Sequence, residues 1–287
     1  SKEGMVFLVD GEGASIVLQK NDALRVMDKP QAPRRPRGTE RESMTEQEMK
    51  QLFGKYYFGA EALEKTCTYM DGRTEILRLL PEHKTQMHDQ LRAKLAEPDV
   101  KEFLKRLEAD PAERAKWMLV NVPKLPNNAP FSILSFAENL DADARRQSAP
   151  MKLVYEGNNT QRLNFFRTNP FATQHIPPGA WFVSKDVLAG TTSKTQDQQT
   201  ALLQAESTRL GFAPGKWQRT HPALRFLSLI ENFKVNNERL MPNVYDRSDV
   251  SSGSGFVACV GGFVAGGVCV CSDGLDALSY YGASFAR

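Results

Sequence analysis

The sequence predicts an α+β protein, predominantly α, whose soluble N-terminal body is followed by one C-terminal transmembrane helix. Three observations predict it. Between Asp249 and Asp273 the chain runs twenty-three residues without a charge, and Phe256 to Cys271 holds only Phe, Val, Ala, Cys and Gly. Between Thr45 and Asn121 lie several short segments with apolar residues at helical spacing, and beyond Pro123 helix-like and strand-like segments alternate.

The elements follow in chain order. Residues 1–27 read as an opening β-hairpin: the apolar MVFLV, turn residues Asp10 to Gly13, then Ser15 to Gln19. Residues 28–43 hold three prolines and several arginines, among them Arg34, Arg35 and Arg37, which suits an extended basic strap and excludes regular structure. Residues 44–122 form the helical domain. Thr45 with Glu48 is a capping box, Asp110, Pro111 and Glu113 mark a second helix start, and helices are expected near Lys84 to Ala96 and Asp99 to Ala109. In the latter, Val100, Phe103, Leu104 and Leu107 share one face.

Residues 123–248 are mixed: a helix near Ile133 to Gln147, strands at Met151 to Tyr155 and Trp181 to Val183, a helix from Gln196 to Leu210, and another capped by Thr220. Residues 249–273 form the span and 274–287 a tail. A bilayer core of about 30 Å needs roughly 17 to 25 apolar residues as a helix, and Val250 to Ser272 meets that length. In that helix Ala258, Gly262 and Gly266 line one face, where small residues let a neighbouring helix approach. The same residues could instead form a buried Gly-rich β-hairpin, with strands at Phe256 to Val260 and Val268 to Cys271, because β-branched residues favour strands.

The net charge of +3 is too small to imply nucleic acid, and only Cys67 lies outside the apolar run, so no disulfide framework is expected. Cys67 and Arg73 have the spacing of a loop that resembles the phosphate loop of protein tyrosine phosphatases, but Cys67 follows the helix-like EALEK and is read as a packed helix-end residue. Gly11 and Gly13 make a hairpin turn, and Gly211 to Trp217 lacks a spacer and the Ser/Thr of a phosphate loop. His83 and His88 stand five apart, about 140° around a helix, so no metal is assigned. The segment Lys152 to Asp186 loosely resembles ADP-ribosyltransferase toxins, which hold NAD between an arginine and a serine on neighbouring strands, but it carries Glu156 where that family has Arg or His.

No catalytic residue, cofactor or metal is therefore assigned. The reading is a non-catalytic accessory subunit of an organellar membrane complex, in the mitochondrial inner membrane or the thylakoid, with the N-terminal domain on the matrix or stromal side. Its partners would be other subunits at Ala258, Gly262 and Gly266, and acidic protein or lipid headgroups at Arg34, Arg35 and Arg37. The alternative is a soluble secreted effector enzyme acting on NAD.

Overall fold

A computed structural model describes residues 44–67, 81–123, 131–138, 159–213, 215–253, 255–265 and 267–287, with the backbone of three strands at 6–9, 15–18 and 25–26. The chain divides into two units, Ser1–Glu42 and Ser43–Arg287. In the first, β1 (Val6–Val9) pairs antiparallel with β2 (Ser15–Leu18), as the hairpin reading expects, and β3 (Arg25–Val26) adds a third strand. The arginine strap lies outside the described residues.

The second unit opens with α1 (Glu46–Phe53), whose Thr45–Glu48 capping box forms as the sequence indicates. It continues through β4 (Tyr57–Phe58), α2 (Ala60–Cys67), α3 (Pro81–Ala96), α4 (Pro98–Ala109) and the short α5 (Pro111–Arg114). Asp110 caps α5, accepting from the amides of Ala112 and Glu113. Val100, Phe103, Leu104 and Leu107 of α4 are all buried, so its helical periodicity does mark its packed face.

The region expected to be wholly helical also contains β5 (Trp117–Val122), buried at every position. Such a strand has protein on both faces, so it shows no alternation for a sequence reading to detect. Trp117 and Leu119 meet the side chains of α1, α3 and α4, while Met118, Val120 and Val122 turn to the opposite core. After β6 (Phe131–Ser132) come α6 (Asn159–Thr168), α7 (Pro170–Thr173) and β7 (His175–Ile176), which pairs with β6. The expected strand at Met151 to Tyr155 falls outside the described residues, and of the expected helix from Ile133 only 133–138 are described, as helix.

β8 (Gly179–Ser184) runs antiparallel to the whole of β5, from Trp117 opposite Ser184 to Val122 opposite Gly179. Next are α8 (Gln196–Arg209), capped by a Thr195–Gln198 box, β9 (Gln218–Arg219) and α9 (Pro222–Asn236). Then come β10 (Tyr245–Gly253), β11 (Phe256–Val264), β12 (Gly267–Asp273), β13 (Tyr281–Gly282) and β14 (Phe285–Ala286). One sheet has the order β4-β5-β8-β14-β9 and a second β12-β11-β10-β13. Helix α9 lies between them, buried at every position from Pro222 to Phe233.

The apolar run is therefore not a helix. Residues 256–264 and 267–273 pair antiparallel, Val257 opposite Asp273 and Val260 opposite Val270. Among the described residues no helix is long and apolar enough to cross a membrane, which overturns the C-terminal transmembrane helix and the single-pass membrane reading. The organellar membrane location, argued only from that helix, loses its ground with it. The physical reason is that both faces of β11 are covered. Ala258 and Val260 face the core around α9, while Val257 and Cys259 pack against Tyr281 on the other side. A two-sided strand pair reads as a continuous apolar stretch, the same composition a lipid-facing helix would need.

The cap of α9 also differs from expectation. His221, not Thr220, holds the N-cap position, its Nδ1 accepting from the Ala223 amide at 3.2 Å. Thr220 Oγ1 instead shares a hydrogen bond with Ser284 Oγ. Burial, reinforced by His175, depresses the His221 pKa to about 4, so the imidazole stays neutral and can accept. Its folded value lies below its free value of about 6.5, so the unfolded chain binds the extra proton between the two. This contribution is complete above about pH 6.5 and is lost as pH falls through 4, a difference of about 3 kcal/mol. His221→Asn keeps a capping acceptor without titrating, so its urea midpoint is expected to fall less than the parent's from pH 7 to 4; parallel curves would contradict this.

Candidate functional site

Beside β5 the start of α1, β4, the first residue of α2 and the middle of α3 surround a small half-open cleft of about 10 Å³, lined by Glu46, Tyr57, Ala60, Met87, His88, Leu91 and Asn121. A site for one water needs about 10–15 Å³, so this cleft admits a single head group of that size.

Each polar group arrives there for a local reason. Glu46 is the first residue of α1, fixed by the Thr45 cap. Tyr57 sits on β4, which runs parallel to β5 with Tyr57 opposite Leu119. His88 stands on α3 one turn before the buried Leu91, and Asn121 is the one polar residue on the inner strand β5.

The Glu46 carboxylate gathers three donors: His88 Nδ1 lies 2.5 Å from Oε2, Tyr57 Oη donates to Oε1 at 3.0 Å, and Lys50 Nζ stands 3.4 Å from Oε1. Burial, with the Glu46 charge adding to it, raises the Tyr57 pKa well above the usual phenol value, so this hydroxyl remains a donor. Burial alone would lower the Lys50 pKa, but Glu61 and Glu46 outweigh it and hold the ammonium charged. Asn121, 2% exposed, donates from Nδ2 to the Phe58 carbonyl at 3.2 Å, while its Oδ1 has no partner.

These bonds fix what the cleft still offers. With the His88 Nδ1–H directed at Glu46, the acceptor of the neutral imidazole is Nε2, and Tyr57 Oη, already hydrogen-bonded to the Asn121 side chain, keeps one further lone pair. Asn121 Oδ1 is a buried acceptor without a donor, which costs about 1–3 kcal/mol. The free groups are thus acceptors, next to an ionised carboxylate. They suit a cationic group with several N–H donors. None of the lining residues is a serine, cysteine or lysine.

Two other polar clusters have different characters. Arg225 Nε donates to Asp246 at 2.8 Å, Nη1 to the Ser184 carbonyl at 2.8 Å and Nη2 to Ser284 Oγ at 2.5 Å, and Ser284 Oγ donates to Asp246. This network is closed to solvent and ties α9 to both sheets. Glu231, fully buried on the same helix, has neither oxygen hydrogen-bonded, and burial raises its pKa so that it stays protonated. On the surface, Lys185 Nζ stands 3.1 Å from the Tyr56 ring centroid; burial lowers its pKa to about 8, and Glu238 opposes that shift while Lys55 adds to it.

The residues singled out in the sequence are not brought together. Ala258 faces the core on β11, Gly262 occupies a bulge at φ +55° against the Tyr245 ring, and Gly266 lies outside the described residues, as do Arg34, Arg35 and Arg37. Cys67 ends a helix rather than a strand, and Arg73 is outside the described residues. In the segment likened to the transferases, Arg167 is paired with Glu138 at 2.8 Å, and Ser184 is buried at the end of β8. Among the described residues no group of three His, Cys, Asp or Glu converges to hold a metal.

Of the cleft residues the sequence reading considered only His88, as a possible ligand. Glu46 was hidden as an ordinary acidic first-turn residue. An isolated Asn in the apolar run WMLVNV was the available signal for Asn121. Comparison with known protein families, curated proteins and solved structures finds no match to this chain.

Proposed function

We propose that the body formed by residues 43–287 is a non-catalytic partner-binding unit whose cleft at Glu46, Tyr57, His88 and Asn121 receives a primary amino group, such as a lysine tip of a partner protein. The observation that carries the reading is Asn121 Oδ1, buried and without a donor at the wall of a cleft that also contains the Glu46 carboxylate. An ammonium has three donors and no acceptor, which matches Asn121 Oδ1, Tyr57 Oη and His88 Nε2. The cleft has room for that head group alone, with Met87 and Leu91 as apolar wall for the first methylenes of the stem.

The test is an NMR titration of the full chain with propylamine and with Nα-acetyl-lysine amide near neutral pH. Shifts are expected at Tyr57, His88 and Asn121 and nowhere remote. Asn121→Leu is expected to weaken binding about 10- to 100-fold, the loss of one hydrogen bond to a charged donor. Saturable shifts that survive Asn121→Leu unchanged, or no shifts up to molar amine, would refute the assignment.

A further inference from the structure

The β11–β12 pair brings three cysteines onto one face. Cys259 lies directly opposite Cys271, and Cys269 lies opposite Gly261, which has no side chain. Opposed residues share a face, as do residues two apart on one strand. That face is the one away from α9: Cys259 packs with Val257 and Tyr281, whereas Val268 and Val270 turn to the core. The Cys271 thiol is within hydrogen-bond reach of both other thiols. Cys259 is fully buried, Cys269 and Cys271 are partly exposed, and none of the three is in a disulfide.

Directly opposed Cα atoms in an antiparallel pair stand about 4.5–5.5 Å apart, within the window of about 4.4–6.8 Å that a disulfide spans. Diagonal neighbours such as Cys259 and Cys269 stand about 7–8 Å apart, beyond it. Metal ligation does not account for the trio, because among the described residues no such group can hold an ion.

We propose that Cys259 and Cys271 form a thiol–disulfide exchange site that reacts with a small-molecule disulfide of the glutathione class and closes into a cross-strand bridge. In the first step the Cys271 thiolate attacks one sulfur of the small disulfide, forming a mixed disulfide and expelling one thiolate. In the second, the Cys259 thiol gives up its proton and attacks the Cys271 sulfur, expelling the second thiolate. Two protein thiols are oxidised by two electrons, and one small disulfide is reduced to two thiols. The hydrogen bond with Cys259, aided by burial and opposed by Cys269, raises the Cys271 pKa to about 12. Its thiolate is therefore scarce at neutral pH, and the exchange is slow and base-promoted.

The experiment uses the full chain carrying Cys67→Ser, folded, with excess oxidised glutathione. Chymotryptic cleavage after Phe263 then separates Cys259 from the other two thiols. The expected product is a linked peptide pair two hydrogens lighter than the free peptides, with one thiol still open to alkylation. The initial rate should rise about tenfold per pH unit between 7 and 9. Cys269→Ser should leave the bridge intact and Cys271→Ser should abolish it. The same reaction in urea should scramble the pairing, which shows that the folded register directs it. A bridge that needs Cys269, a bridge that survives Cys271→Ser, or three alkylatable thiols after prolonged oxidation of the folded chain would each overturn the proposal.

Discussion

Asp246→Ala is expected to destabilise the protein by about 3–5 kcal/mol, because it strands a charge in the core. Arg225 and Asp246 are both essentially inaccessible to solvent, with Nε to Oδ2 at 2.8 Å. Removing the carboxylate leaves the guanidinium with only the Ser184 carbonyl and the Ser284 hydroxyl, neither of which carries charge. Domains of this kind have about 5–15 kcal/mol of stability in total, so the urea midpoint should fall sharply or the chain should fail to fold. Removing both charges together, as in Arg225→Met with Asp246→Leu, is expected to recover part of the loss, because the desolvation cost disappears along with the pair. Recovery stays incomplete, since the Ser184 carbonyl loses its donor. A single-variant cost below about 1 kcal/mol would show that the pair is not buried as described.

The second large effect concerns the glycine run. A Cβ on Gly261 would lie 2.2 Å from the Val244 carbonyl oxygen and 2.7 Å from the Tyr245 Cα, both backbone atoms where the chain enters β10. Neither can swing aside as a side-chain tip could, so Gly261→Ala is expected to cost about 3 kcal/mol, the upper part of the overpacking range. The sign of this effect separates two structures. If these residues formed a helix, replacing Gly by Ala would remove an unfavourable helix former and stabilise by up to about 1 kcal/mol. Gly190, at φ +82° with nothing within 4 Å of a built Cβ, provides the comparison, since Ala there meets only backbone strain. Thermal or urea unfolding of Gly261→Ala and Gly190→Ala side by side gives the answer, and an unchanged or raised midpoint for the first would contradict the strand pairing.

Where a signal is local, the sequence was legible. The Thr45–Glu48 box, the Asp110–Pro111 start and the buried face of α4 all depend on residues within four positions of one another, and they form as read. The Thr195–Gln198 box is equally local. The cap of α9 shows how such reading fails: Thr220 and His221 are both plausible caps, and the choice was made by Ser284, sixty-four positions away, which engages Thr220. The candidate cleft was less legible still. Its Glu46, Tyr57, His88 and Asn121 come from four separate elements, and no spacing rule relates them.

The residues by themselves determined the helix starts, the apolar periodicity of α4, the modest charge and the existence of a long uncharged segment. Only the tertiary structure decided what that segment becomes, because Phe, Val, Ala, Cys and Gly are compatible with a lipid-facing helix and with a strand covered on both faces. The deciding contacts, Tyr245 across Gly261 and Gly262 and α9 beneath Ala258 and Val260, come from chain outside the run. Burial measures the loss of water and not what replaces it, so composition could mark these residues as dry without telling whether protein or lipid surrounds them.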